Sequence, residues 1–297
     1  MRRYFCITID VEPDCSTSWH RSNPLTFENI RVGIGGILTP LFGRHSIKPT
    51  YLISPEVLND DDSVVLFKSL VDCELGAHLH SEYIEPKVEY VNPAGTQSDE
   101  FPCNLPADVE SAKITAITEL FYRRFGYRPM SYRAARFGAG QTTFASLSKN
   151  GYKVDTSVTP GINWQKKGGP DFSNWNSQPK WIENGRLLEI PVTVGRKRFG
   201  LLPKWWYCYR WLRPSMMTLF EMKRLVDEVS AEANEMLCLN MMFHSMEVIP
   251  QASPYVRTKS QQMRYLDKLE RMIEYICKKG FESKTLSQVY DAVAGGQ

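Results

Sequence analysis

No stretch of this 297-residue chain approaches the ~18 consecutive apolar residues that a membrane-spanning helix needs. A surplus of one charge is also lacking: 36 Lys and Arg against 33 Asp and Glu leave +3, too little to imply nucleic acid as a partner. There is no CxxC among the seven cysteines (Cys6, Cys15, Cys73, Cys103, Cys208, Cys238 and Cys277). Their odd number and irregular spacing argue against a disulfide framework and against a thiolate zinc site, so scattered reduced cysteines are expected. Internal repeats, low-complexity tracts and Gly/Ser/Pro linkers are missing too, and a single domain over residues 1–297 is the expectation. With 42% hydrophobic and 23% charged residues, the composition is that of a globular protein and excludes a disordered or coiled-coil chain.

The start, Arg2-Arg3-Tyr4-Phe5-Cys6-Ile7-Thr8-Ile9-Asp10, has the charge and the apolar onset of a signal peptide, but the run stops at Asp10. A signal core needs ~7–15 apolar residues and a small-residue cleavage site. The expectation is a buried first strand and a cytoplasmic protein. Further runs read as strands at Lys48–Ser54, Cys73–His80, Met130–Ala134, Lys153–Val158, Leu187–Val194 and Leu237–His244. Helical periodicity lies between them, at 27–42, 108–125, 142–150, 218–233 and 258–279, with a last helix at 285–293. Strand–helix alternation over this length predicts an α/β fold, a distorted (β/α)7-type barrel with a parallel sheet. The loop-rich stretches 85–107 and 160–185 are where such a barrel would carry function.

Several polar residues stand where a strand should end. Asp10 and Glu12 are spaced i, i+2, so on an extended chain both carboxylates face one way. His78 and His80 repeat that spacing. Two imidazoles and a carboxylate form a common catalytic metal set that leaves positions open for water and substrate. The second carboxylate could then serve as general base, kept ionised by a nearby cation such as Arg133 or Arg136. His244 closes an apolar strand, a position suited to a general acid, and Asp155 is a candidate to hold its tautomer. His20 and His45 lack such company and are read as ordinary surface or hydrogen-bonded residues.

The order and spacing of these residues resemble the polysaccharide deacetylases of carbohydrate esterase family four, over nearly the whole chain. The likeness is strongest to the divergent branch found with surface-polysaccharide assembly enzymes. In Thr8-Ile9-Asp10-Val11-Glu12, Asp10 matches the family's catalytic base. Val11 stands where a metal-binding Asp is usual, which moves that role to Glu12. His78 matches the first metal histidine; the second would fall at position 82, which is Glu82, so His80 is the expected ligand and Glu82 the weaker one. Arg133 matches the arginine that braces the base, with Ala135 in place of a usual Pro. His244 matches the acid histidine, partnered by Asp155 or by Asp171. The resemblance implies one divalent metal ion of zinc type. It also implies hydrolysis of an N-acetyl group on an amino sugar of a surface-polysaccharide or glycolipid precursor.

One basic and aromatic segment, Gly195-Arg196-Lys197-Arg198-Phe199-Gly200 with Lys204-Trp205-Trp206-Tyr207-Cys208-Tyr209-Arg210-Trp211-Leu212-Arg213, is open to three readings. It could meet a membrane surface, which would suit a lipid-linked sugar; it could bind sugar or phosphate; or it could be a loop and short helix packed on the barrel. Trp164, Trp175 and Trp181 are candidates to line a sugar cleft, and Arg136 and Trp164 are the expected substrate-binding pair. Two alternatives to the deacetylase stay open: a C–N hydrolase acting on a small amide or cyclic ureide, and a catalytically inactive glycan-binding relative, which the departures at Val11 and Glu82 would favour.

Overall fold

A computed structural model of the chain describes residues 2–88, 101–198, 207–232 and 236–295. The first strand, β1 (Arg2–Val11), is buried from Tyr4 onward, as a strand covered on both faces should be. It is followed in the sheet by β2 (Thr50–Ile53), β3 (Glu74–Leu79), β4 (Ser131–Ala134) and β5 (Val154–Asp155). A short hairpin of β6 (Lys180–Ile182) and β7 (Leu187–Glu189) comes next, and then the antiparallel pair β8 (Val194–Arg198) and β9 (Tyr207–Trp211). The chain ends with β10 (Met236–His244) and β11 (Glu282–Ser283).

The main sheet runs in the order β10-β1-β2-β3-β4-β5-β7-β6, with β11 also on β1. Every pairing except β6–β7 is parallel. The result is a curled half-barrel. Its open seam is bridged where Thr193 N–H donates to Asn240 O at 3.0 Å and Met242 N–H to Leu212 O at 3.3 Å. The register sets Asp10 opposite His244 and His78 opposite Arg133, so the polar strand ends meet at one rim.

Around the sheet a π-helical stretch (Asn29–Leu38) runs into α1 (Thr39–Arg44). It is followed by α2 (Pro55–Leu58), α3 (Asp61–Ser69), α4 (Ala107–Phe125), α5 (Gln141–Lys149), α6 (Leu219–Glu232), α7 (Lys259–Lys278) and α8 (Leu286–Ala294). Apolar side chains of β1, β2, β3 and β10 join those of the helices in one large core. α4 stops at Gly126, whose φ of 82° is open to glycine without strain.

The predicted parallel strands are present, mostly shorter than expected. The stretch predicted as one strand over Leu187–Val194 is broken into β7 and β8. Pro191 lies between them, and its missing N–H cannot continue a ladder. The described parts of the basic and aromatic segment are two antiparallel strands, where a loop and short helix was one reading; residues 199–206, with Trp205 and Trp206, lie outside the described residues.

Gly76 shows how tightly β3 is held. A Cβ there would stand 2.2 Å from Ser131 Oγ and 2.8 Å from Ser131 O. Gly76→Ala is therefore expected to destabilise the protein by about 1–3 kcal/mol through overpacking, read as a drop in urea midpoint at unchanged slope.

Glu110, in the first turn of α4, is fully buried. One oxygen accepts from the Thr143 hydroxyl and the other has no partner among the described residues. Burial pushes its carboxyl up to about 7, against a small opposing effect of the Thr143 bond. A carboxyl raised in the folded state binds its proton more tightly there than in the unfolded chain. Its effect is absent below the unfolded value and grows into a penalty as pH rises toward 7. Glu110→Gln is expected to remove that loss, stabilising the protein by about 1–3 kcal/mol at pH 8 and by little at pH 4, measured by denaturation at both pH values.

Candidate active site

Glu12, His78 and His80 converge at the C-terminal rim of β1 and β3, all three buried. Glu12 Oε1 lies 3.3 Å from His78 Nε2 and 3.2 Å from His80 Nε2. The other ring nitrogens are held by acceptors. His78 Nδ1 is 3.0 Å from the carbonyl oxygen of Arg133, and His80 Nδ1 is 2.8 Å from Glu56 Oε1. A carbonyl can only accept, so His78 carries a proton on Nδ1, and its Nε2 faces a carboxylate oxygen of Glu12. Two imidazoles so arranged around a carboxylate need a cation between them, and this donor set fits a divalent metal. Without such an ion the place is taken by a proton. Burial lowers the His80 value, but the Glu56 and Glu12 carboxylates outweigh it and push it up to about 9.

Asp10 sits beside this set. Arg133, fully buried, donates from Nη1 to Asp10 Oδ1 at 2.6 Å and from Nη2 to Thr8 Oγ1 at 2.7 Å. Its Nε donates to Thr156 O at 2.9 Å. Thr8 in turn donates to Asn240, whose amide donates to Thr156 Oγ1, both at 2.8 Å. The arginine is thus fixed by a polar network inside the barrel. Burial alone would raise the Asp10 value. The Arg133 charge, with smaller help from His78 and His244, overcomes burial and holds the carboxyl below its ordinary range. Asp10 is ionised at neutral pH.

His244 faces the same space, with Nε2 3.9 Å from Asp10 Oδ2 and 3.7 Å from Glu12 Oε1. Its Nδ1 lies 3.0 Å from Glu247 Oε1 and 2.9 Å from Arg213 Nη2. Burial opposes ionisation of Glu247, but Arg213 and His244 pull its carboxyl down to about 2. The edge of the Trp19 ring packs on His244, with centroids 5.5 Å apart.

The expected partner of His244 therefore requires correction. Asp155 is buried at the end of β5 and accepts from Ser157 N–H at 3.1 Å and from the Ser157 hydroxyl at 2.7 Å. It neighbours Glu189, and burial pushes both carboxyls above their ordinary range. Asp171 is exposed, accepting from Asn163 and from Ser173 N–H. Neither carboxylate is bonded to His244; Glu247, three residues further along the same turn, holds that place. Glu82 is buried as well, but it accepts from Arg136 Nη2 at 3.2 Å and stands outside the Glu12 set. His20 is exposed, and His45 pairs with Glu270 away from the cleft.

These groups line a cleft of about 290 Å³, walled also by Trp19, Arg21, Phe137, Arg213 and Tyr255. Arg136 lines it too, whereas Trp164 lines a neighbouring cavity. Arg21 and Glu56 went unnoticed in the sequence. Arg21 donates to Glu56, the carboxylate that accepts from His80 Nδ1, and so steadies the outer side of the His80 ring. Glu56 lies just beyond the end of β2, at the rim where a carboxylate has little packing reason to be, and that position was the available signal.

No family model matches the chain, and no curated protein does. Among solved structures it is similar to a Mycobacterium smegmatis protein assigned as a polysaccharide deacetylase. That match has 13% identity, covers 100% of this chain and 92% of that one, and has a TM-score of 0.57. It is also similar to TK1436, a GH57 branching enzyme from Thermococcus kodakaraensis, with 12% identity, 97% of this chain and 70% of that one, and a TM-score of 0.53. At such identities the likeness is one of fold, and the fold is the polysaccharide-deacetylase half-barrel. A branching enzyme shares it, so the chemistry has to be argued from the site itself.

Proposed function

We propose that this chain is a metal-dependent carbohydrate N-deacetylase acting on an amino sugar of a surface-polysaccharide or glycolipid precursor, in the cytoplasm or at the inner membrane face. The observation that carries the reading is the meeting, in one cleft, of three groups. These are the Glu12, His78 and His80 donor set, an arginine-braced carboxylate and a carboxylate-held histidine. No helix among the described residues is long and apolar enough to cross a membrane.

A divalent cation held by Glu12, His78 and His80, most simply zinc, would polarise the acetamide carbonyl and acidify water. Asp10 takes the proton from the attacking water, whose oxygen adds to the acetyl carbon. Arg133 keeps Asp10 anionic and aimed. The C–N bond then breaks, and His244 hands a proton from Nε2 to the departing sugar nitrogen while Glu247 steadies Nδ1. Acetate and a free amino sugar are released. Arg136 and the aromatic side chains of the cleft are left to bind the sugar.

The test is acetate release from N-acetylated oligosaccharides, with and without added zinc. Stoichiometric acetate and new amine in the metal-loaded protein support the reading. Tight glycan binding with no acetate under any metal would turn it to the inactive binding protein instead.

A further inference from the structure

A second cavity, of about 570 Å³, is lined by Phe101, Arg136, Phe137, Trp164 and Lys167. It shares Arg136 and Phe137 with the catalytic cleft, so the two spaces meet along one wall. We infer that this cavity binds the unit next to the acetylated sugar, and that this unit carries an anionic group, a carboxylate or a phosphate. The inference rests on the deacetylase reading and adds the class of substrate.

The walls are built rather than incidental. Gly169 lets the Phe101 ring close in, since a Cβ there would lie 2.6 Å from its Cε1 and Cζ atoms and 2.8 Å from Trp164 Cβ. Gly138 does the same on the other side, where a Cβ would lie 2.9 Å from Phe101 Cβ. The Trp164 indole N–H donates to Thr159 Oγ1 at 2.8 Å. Arg136 and Phe137 are consecutive non-glycine residues in the left-handed region, at φ 54° and 58°. Non-glycine residues in that region carry backbone strain, which functional sites tolerate when a side chain must be aimed.

The chemistry of the lining selects the ligand. Three aromatic rings offer apolar faces of the kind on which sugar rings pack. Two cations and no carboxylate complete the described lining. Arg136 is held by Glu82. Lys167 has no carboxylate partner among the described residues; its ammonium sits 5.6 Å from the centre of the Trp164 ring. The preceding residue is Lys166, and both belong to one short turn. A cation parked on an aromatic ring, with no carboxylate paired to it among the described residues, is a place where an anionic ligand is favoured.

The experiment is calorimetric titration of the wild-type and Lys167→Glu proteins with three probes, followed by acetate assays on the same probes. The probes are neutral diacetylchitobiose, a hyaluronan tetrasaccharide as carboxylate source, and UDP-N-acetylglucosamine as phosphate source. At least one anionic probe is expected to bind five-fold or more tightly than the neutral one, and Lys167→Glu is expected to erase that ratio. Which anionic probe shows it names the source. Equal binding of all three probes, or a ratio that survives Lys167→Glu, overturns the inference. Acetate release without anion preference sinks the inference and leaves the deacetylase standing. Anion preference without acetate from any probe does the reverse.

Discussion

An Asp10→Asn protein is expected to keep its bound metal and lose about 10²–10⁴-fold in acetate release, the range that a positioned general base contributes. Asp10 lies outside the Glu12, His78 and His80 set, so the ion should remain. Arg133 still donates to the amide oxygen, so the fold should survive. The amide cannot take a proton from water, and that is the whole of the expected defect. Metal content and initial rate measured on one preparation check this. Wild-type rate with full metal would remove Asp10 from the chemistry, and loss of metal would make it a ligand instead.

Arg133→Met, behind the cleft, is expected to be the costliest substitution at the site. The guanidinium is fully buried and touches Asp10, Thr8 and Thr156. Removing it leaves a buried, unpaired carboxylate and several unsatisfied oxygens, a loss of about 3–5 kcal/mol for breaking such a pair. The Asp10→Asn/Arg133→Met double variant should be more stable than Arg133→Met alone, because the stranded charge is gone. Urea denaturation of the three variants and the wild type closes the cycle. If Arg133→Met costs under about 1 kcal/mol, the pair is not the buried, uncompensated element described here.

The fold was legible where apolar runs and their stops were clean. β1, β3 and β10 show as short apolar stretches ending in polar residues, and α4 and α7 as long amphipathic stretches with a glycine shortly after them. Parallel pairing followed from alternation. The β8–β9 pair was not legible, because its alternating cations and aromatics read equally well as a surface loop.

The site was legible where spacing carries geometry. His78 and His80 fall on one side of a strand, and the structure brings both to Glu12. The partner of His244 was not. Asp155 looked suitable because it ends a strand, but its carboxylate accepts from Ser157 and lies beside Glu189 rather than at His244. Glu247 sat three residues from His244 throughout. A turn that brings its carboxylate back onto the imidazole is a backbone property no residue type announces. Arg21 and Glu56 were missed for a similar reason: Arg21 stands in the loop after β1 and Glu56 in the short α2, and tertiary packing decides that they meet at His80.

The proposed chemistry stands or falls on a catalytic divalent ion held by Glu12, His78 and His80. Bound-metal content by elemental analysis, on wild type and on a His78→Ala/His80→Ala double variant, tests it most directly. About one divalent ion per wild-type chain and none in the variant is the expected result, since the variant loses two of three ligands. A wild type that stays metal-free after zinc loading, or a double variant that keeps its ion, would contradict it.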